Sequence, residues 1–215
     1  YEIKSKDKDE SWAPLIEVTR VLAETPSESL EEALVPIFDI DGALRYLALD
    51  IVVQSGDGYW LHGSDFNMYL DPDGVLHMVH HDTNESFSAH GPRRGAPKTA
   101  EVDPFAKIDD ENKALRNKLL AVPKFRRKYL EYVRDIARDS LDWQVMGPKI
   151  EALRKLIAAD VAKGTRKLYA TEKFDTEVFG DGEGELSPET IKGFIQQRRA
   201  FLLAHPDIKA LDDTR

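Results

Sequence analysis

The chain has no cysteine among its 215 residues. That excludes a disulfide framework, thiol catalysis and zinc held by cysteine. It has no apolar run approaching the roughly 20 residues that span a bilayer, so no membrane span is expected. It also lacks a basic excess: 30 Lys and Arg stand against 39 Asp and Glu, a formal net charge of −9. That is the wrong sign for a protein whose main partner is nucleic acid. An acidic body suits a basic peptide or a divalent cation instead. Apolar material is ample, at 41% of the residues, so residues 1–215 are expected to form one domain, or one large lobe of a bigger enzyme. The opening Tyr1-Glu2-Ile3-Lys4 lacks the features of a signal peptide and reads as a strand from the middle of a longer protein.

The spacing of apolar residues predicts a mostly α protein, of the α+β class, with one small central β-hairpin. Helices are expected from Ser11 to Ala23, ended by Pro26, and from Ser29 to Leu34, ended by Pro36. A core-facing helix is expected from Asp41 to Val53, with Asp39 and Asp41 as caps and Leu44, Leu47, Ala48 and Ile51 on one face. Ser55-Gly56-Asp57-Gly58 then reads as a turn in which glycine on both sides of Asp57 permits positive φ. Strands follow at Phe66 to Leu70 and Val75 to Val79, joined by the turn Asp71-Pro72-Asp73-Gly74. The chain to about Pro104 reads as a long exposed loop. Further helices are expected from Asp110 to Leu120, from Pro123, from Lys149 to Val161, and after the cap Ser187-Pro188-Glu189.

One stretch carries chemistry. Asp57 lies in a glycine-flanked loop after a buried helix; Asn67, the hairpin and Asp82 follow in that order. Phosphoryl transfer asks for such parts: a carboxylate to orient or deprotonate the attacking hydroxyl, and a carboxylate with an amide oxygen to hold Mg²⁺ against the phosphates. Asp57 and Asn67 are ten residues apart, twice the spacing of roughly five in an ordinary protein-kinase catalytic loop.

Particular residues add a family likeness. Arg45-Tyr46-Leu47-Ala48-Leu49-Asp50, leading to Asp57-Gly58-Tyr59, resembles the CotH kinase family of spore-coat protein H-like atypical protein kinases. So do Asn67-Met68-Tyr69-Leu70-Asp71 and His81-Asp82-Thr83-Asn84-Glu85-Ser86-Phe87, as well as Tyr1 to Lys4, Pro123 to Tyr129 and Phe194 to Arg199. The resemblance implies an atypical kinase-like large lobe in which Asp57 is the catalytic-loop carboxylate and Asp82 the principal metal ligand. Asn67 and Asn84 would be nucleotide or metal contacts. It also implies ATP and Mg²⁺, or Mn²⁺, as cofactors, a Ser or Thr of a protein or peptide as acceptor, and an extracellular, cell-surface or spore-coat setting in a bacterium.

The sequence departs from the family pattern where His81 stands for the usual Trp and Ser88 for the Gly that often follows the Phe. It also shows no glycine-rich phosphate loop, so the nucleotide-binding small lobe is expected upstream of residue 1 and this chain alone is expected to bind ATP poorly. Two alternatives stay open: a pseudokinase scaffold, and a phosphotransferase acting on a non-protein hydroxyl.

Other signals are weaker. His80 and His81 would point to opposite strand faces, which disfavours a shared zinc. Asp181-Gly182-Glu183-Gly184-Glu185 lacks ligating residues at the ends of a Ca²⁺ loop. Arg93, Arg94 and Lys98 read as a solvated basic loop, and Arg126-Arg127-Lys128 as the wet side of a helix.

Overall fold

A computed structural model describes residues 2–4, 12–89, 99–180 and 187–212. Tyr1, Ser11, the basic residues Arg93, Arg94 and Lys98, and the acidic run from Asp181 fall outside the described residues.

The axis of the fold is helix α3, Ile40–Val52. Its Ala43, Leu44, Tyr46, Leu47, Ala48, Ile51 and Val52 are all buried, and a helix apolar on nearly every side belongs in the middle of a core. Asp39 starts it by accepting the Gly42 N–H at 2.9 Å, satisfying a backbone donor of the first turn. Asp41 is not a cap; its carboxylate accepts from Arg45 and from the Tyr132 hydroxyl.

Other helices close around this axis. Helices α1 (Ala13–Glu24) and α2 (Leu30–Leu34) contribute Val18, Val21, Leu22, Leu30 and Leu34. Helices α4 (Ala114–Ala121) and α5 (Pro123–Asp135) meet at Pro123, which occupies a first-turn position where its missing N–H is harmless. Helix α5 lays Phe125, Tyr129, Leu130 and Val133 along α3 and runs on into a π-helical turn, Ile136–Ser140. Helices α6 (Trp143–Lys163), α7 (Lys173–Phe179), α8 (Ile191–Ala204) and α9 (Pro206–Lys209) complete the order. Helix α8 brings Phe194, Ile195, Arg198 and Leu202 into the interior.

The only sheet among the described residues is the hairpin of β1 (Phe66–Leu70) and β2 (Leu76–His80), in antiparallel register from Phe66↔His80 to Leu70↔Leu76. Phe66, Met68, Leu76 and Met78 turn toward the core, whereas Tyr69 and Val79 are exposed. Its turn carries Gly74 at φ 85°, and the Asp71 carboxylate accepts the N–H groups of Asp73 and Val75 at 3.0 and 2.8 Å. Two backbone bonds, Asp39 N–H to Leu76 and Leu76 N–H to Ile37, both 3.0 Å, fix β2 to the chain entering α3.

Some sequence expectations need correction. Helix α4 begins at Ala114 rather than Asp110, because the Asp110 carboxylate accepts the Asn112 N–H and holds a turn there. Helix α6 begins at Trp143 rather than Lys149, and its Leu153 and Ile157, which share an apolar face, are 61% and 46% exposed. The stretch before Pro104 is not uniformly exposed: Ala89, Ala100 and Val102 are buried. Helix α8 is capped by Thr190, whose hydroxyl accepts the Gly193 N–H at 3.0 Å, rather than by Ser187.

Candidate functional site

The segment leaving α3 folds back over the end of the helix that made it. Ser55 N–H reaches the Asp50 carbonyl at 3.1 Å, and Trp60 N–H reaches the Asp50 carboxylate Oδ2 at 2.6 Å. Gly58 packs so closely on Asp50 that a Cβ there would lie 2.1 Å from Oδ1. That close approach, not a positive φ, is why position 58 is glycine. The left-handed conformation falls on Gln54 instead, at φ 48°. Asp57 is half-buried at the middle of this loop. Its carbonyl accepts the N–H groups of Ser64 and Asp65 at 3.1 and 2.9 Å and the Ser64 hydroxyl at 2.7 Å. Those bonds fix the loop to the head of β1, two residues before Asn67. The His62 Nδ1 bonds the neighbouring Gly56 carbonyl; a carbonyl only accepts, so Nδ1 carries the proton.

Side chains distant in sequence hold this loop. Trp60 is fully buried, stacks on Tyr129 at 5.4 Å and donates to the Ala106 carbonyl at 2.9 Å. Arg116, also fully buried, donates to the Trp60 carbonyl at 3.1 Å and lies 4.9 Å from the Trp60 ring centre. Lys107 donates to the Leu61 carbonyl at 3.1 Å. At the C-terminus of α3, Arg198 gives its guanidinium to the carbonyls of Ile51 (2.8 Å), Val52 (3.2 Å), Ala100 (3.0 Å) and Val102. Desolvation pulls its pKa down to about 9, yet a cation there suits the negative end of the helix.

The Asp50 carboxyl is 1% exposed, and Oδ1 has no hydrogen-bond partner; the nearby Ser55 hydroxyl eases its charge only slightly. Burial raises its pKa from 3.8 to about 6, opposed mainly by the Trp60 N–H and then by the Lys113 ammonium. Lys113, itself 7% exposed, has its own pKa lowered by burial and sits 5.0 Å from the Tyr59 ring centre. Asp50, Arg116 and Arg198 did not stand out as site residues in the sequence. The one available signal is a charged residue at a position that apolar periodicity assigns to the interior.

The second half of the site begins where β2 ends. Asp82 adopts φ 45° and ψ 60°, a one-turn 3₁₀ helix follows over Thr83–Glu85, and Phe87 again is left-handed at φ 59°. Asp tolerates that region, whereas a bulky residue does so only when its surroundings impose it. Phe87 is held edge-on against Phe194, with ring centres 6.3 Å apart. Two backbone bonds then join the halves: Gly56 N–H to the Glu85 carbonyl at 3.1 Å, and Phe87 N–H to the Val53 carbonyl at 2.9 Å. Among the described residues, three of the four non-glycine positions with positive φ, Gln54, Asp82 and Phe87, lie in this junction. Such residues cost about 1–3 kcal/mol each and gather where function requires them.

The four residues selected from sequence therefore lie at one end of the hairpin, opposite its turn. Asn67 is second in β1, paired with Val79, while Asp82 and Asn84 follow β2 directly. No hydrogen bond among the described residues joins their side chains to one another. Asp82 and Asn84 are exposed, and Asp57 and Asn67 half-buried. All four present hard oxygen donors. No group of three His, Asp or Glu among the described residues is arranged to hold a metal ion. Carboxylate and amide oxygens are the hard donors that Mg²⁺ and Mn²⁺ take. His80 stacks on Tyr46 at 4.1 Å and His81 is exposed.

Among the described residues the fold is mostly α with one small hairpin, and the loops that precede and follow the hairpin each carry a carboxylate, Asp57 and Asp82. The chain belongs to the CotH kinase protein family, whose model matches residues 1–202. No curated protein matches it. No helix among the described residues is long and apolar enough to cross a membrane.

Proposed function

We propose that this chain is the catalytic lobe of an atypical protein kinase that transfers the γ-phosphate of ATP to a Ser or Thr hydroxyl of a secreted or surface protein, a spore-coat protein included. The observation that carries this reading is the pair of backbone bonds, Gly56 to Glu85 and Phe87 to Val53, which hold the Asp57 loop beside the Asp82 turn. Asp57 orients the acceptor hydroxyl and takes its proton as the oxygen attacks phosphorus. The bond from γ-phosphorus to the bridging oxygen breaks, ADP leaves, and the proton passes from Asp57 to solvent. Asp82 holds the metal, with Asn84 and Asn67 as additional oxygen donors to metal or phosphate. Mg²⁺ or Mn²⁺, when bound, neutralises charge developing on the phosphates. The glycine-rich and lysine-bearing parts that would cover the phosphates are assigned to a small lobe outside these residues.

Phosphate transfer from labelled ATP to Ser-rich and basic peptides, measured on the full-length protein that carries this chain, tests the proposal. Asp57→Asn is expected to abolish transfer while leaving Mg²⁺-dependent nucleotide binding in place, and Asp82→Ala to abolish both. Transfer that survives both substitutions refutes the assignment. Folded protein that binds nucleotide without transfer supports the scaffold reading, and transfer to sugars or polyols alone changes the acceptor class.

A further inference from the structure

We infer that Asp50 is a positioning residue for the proposed phosphotransfer site, the post around which the Asp57 loop is wound, and that its ionised form holds the loop in its working shape. The inference rests on the reading of Asp57 as the residue that handles the acceptor hydroxyl.

Asp50 touches the loop on both sides of Asp57. Its backbone carbonyl binds Ser55 N–H, its Oδ2 binds Trp60 N–H at 2.6 Å, and its Oδ1 presses on Gly58. A short N–H bond to a carboxylate is stronger than one to a neutral acid, because the acceptor is charged. Nothing in this contact is needed for a core: a Leu at the end of α3 would bury more apolar surface without the penalty of a buried charge. A carboxyl retained here, with one oxygen lacking a partner, is a cost to stability that makes sense as control of the loop.

The groups facing it allow that control to be switched. Lys113, at the head of α4, is the cation that acts on it; Ser55 gives slight relief. Tyr46 on α3 and Tyr129 on α5 have pKa values pushed up mainly by burial, with the Asp50 charge adding to both shifts, so they stay neutral. Asp50 itself has a raised pKa of about 6. Its carboxylate therefore forms in the folded protein above that pH and is lost below it. Acidification would weaken the Trp60 contact and release the strand of loop that carries Asp57.

The test compares wild type with Asp50→Asn, a near-isostere that mimics the protonated acid. In phosphate-transfer assays the ratio of wild-type to variant kcat is expected to be about ten-fold near pH 8 and to approach one near pH 5, with KM for nucleotide unchanged. Taking the ratio cancels titrations elsewhere, and a merely structural role would leave it flat. In parallel, the ¹⁵N–¹H signals of Asp57, Gly58 and Trp60 are expected to shift together with a midpoint near 6 in wild type and to stay constant in the variant. Phosphate transfer with a flat ratio overturns the inference and leaves the kinase reading standing. Co-titrating amides without transfer in either protein would overturn the kinase reading and leave the loop-positioning role of Asp50 standing. Amides that do not titrate overturn that role.

Discussion

Arg198 directs its guanidinium at four backbone carbonyls, while Asp50, two residues before the end of α3, accepts the Trp60 N–H, and neither forms an ion pair among the described residues. Two buried charges of opposite sign thus serve one helix end without pairing. Replacing Arg198 with Met leaves those carbonyls unsatisfied, and a loss on the order of 3 kcal/mol is expected in urea unfolding. For Asp50 the sign is reversed. Its pKa is higher in the folded chain than unfolded, so the protonated form is the one folding favours. The penalty is absent below pH 3.8, grows as pH rises, and is complete above about 6, at roughly 3 kcal/mol. Asp50→Asn is therefore expected to melt higher than wild type near pH 8 and equally near pH 4, a gain in stability alongside slower catalysis. Gly58→Ala places a methyl 2.1 Å from Oδ1 and 2.8 Å from Ser55 Cβ and is expected to destabilise by about 1–3 kcal/mol, only part of it recovered in the double variant with Asp50→Ala because the Ser55 contact stays. Asp57 and Asp82 could be selected from sequence because they sit in turn-rich segments with an ordered Asn between them. The support from Arg116 and Arg198 could not, since each role depends on a contact with a residue far along the chain; that of Asp50 could not because it depends on how the loop to Trp60 folds back over the helix end.

At the scale of elements, the hairpin has its own lock. His77 places Nδ1 2.9 Å from Asp39 and Nε2 2.9 Å from Asp71, tying β2 to the start of α3 and to the turn. Ionised carboxylates only accept, so both ring nitrogens must carry protons. The bonds to Asp71 and then Asp39 accordingly raise the His77 pKa. A group with a raised folded pKa contributes stability that is full below its ordinary value of 6.5 and is lost as pH rises through the folded value. Because the cluster is open to solvent, the effect is small. Thermal melts of wild type are expected to fall on raising the pH through this range, relative to His77→Gln, and equal pH dependence in the two proteins would contradict the lock. The hairpin and α3 were legible to within about a residue because their caps and turn residues act locally. Helix α6 was misread for a physical reason: spacing reports which residues share a face, not whether anything covers that face. Leu153 and Leu156, at 61% and 75% exposure, lie on a face turned to solvent. Helix α7, Lys173–Phe179, offers only Phe174 and Val178 at helical spacing, too few for periodicity to tell a helix from a loop.

For the whole molecule, the order Asp57, Asn67, hairpin, Asp82, Asn84 was readable because one continuous stretch builds the candidate centre. Its surroundings were not, because α4, α5 and α8 arrive from much later in the chain. On the proposed function, these residues form one metal–nucleotide site at the base of the hairpin. Mn²⁺ titrated with ATP into ¹⁵N-labelled full-length protein tests it most directly, since paramagnetic broadening maps the metal whether or not turnover occurs. Broadening is expected at the amides of Gly56 to Gly58, Phe66 to Met68 and Asp82 to Glu85, and is expected to vanish in Asp82→Ala. Broadening centred instead on the Asp39–Asp71 end of the hairpin, or unchanged in Asp82→Ala, would place the metal elsewhere and rule out a site built on Asp82.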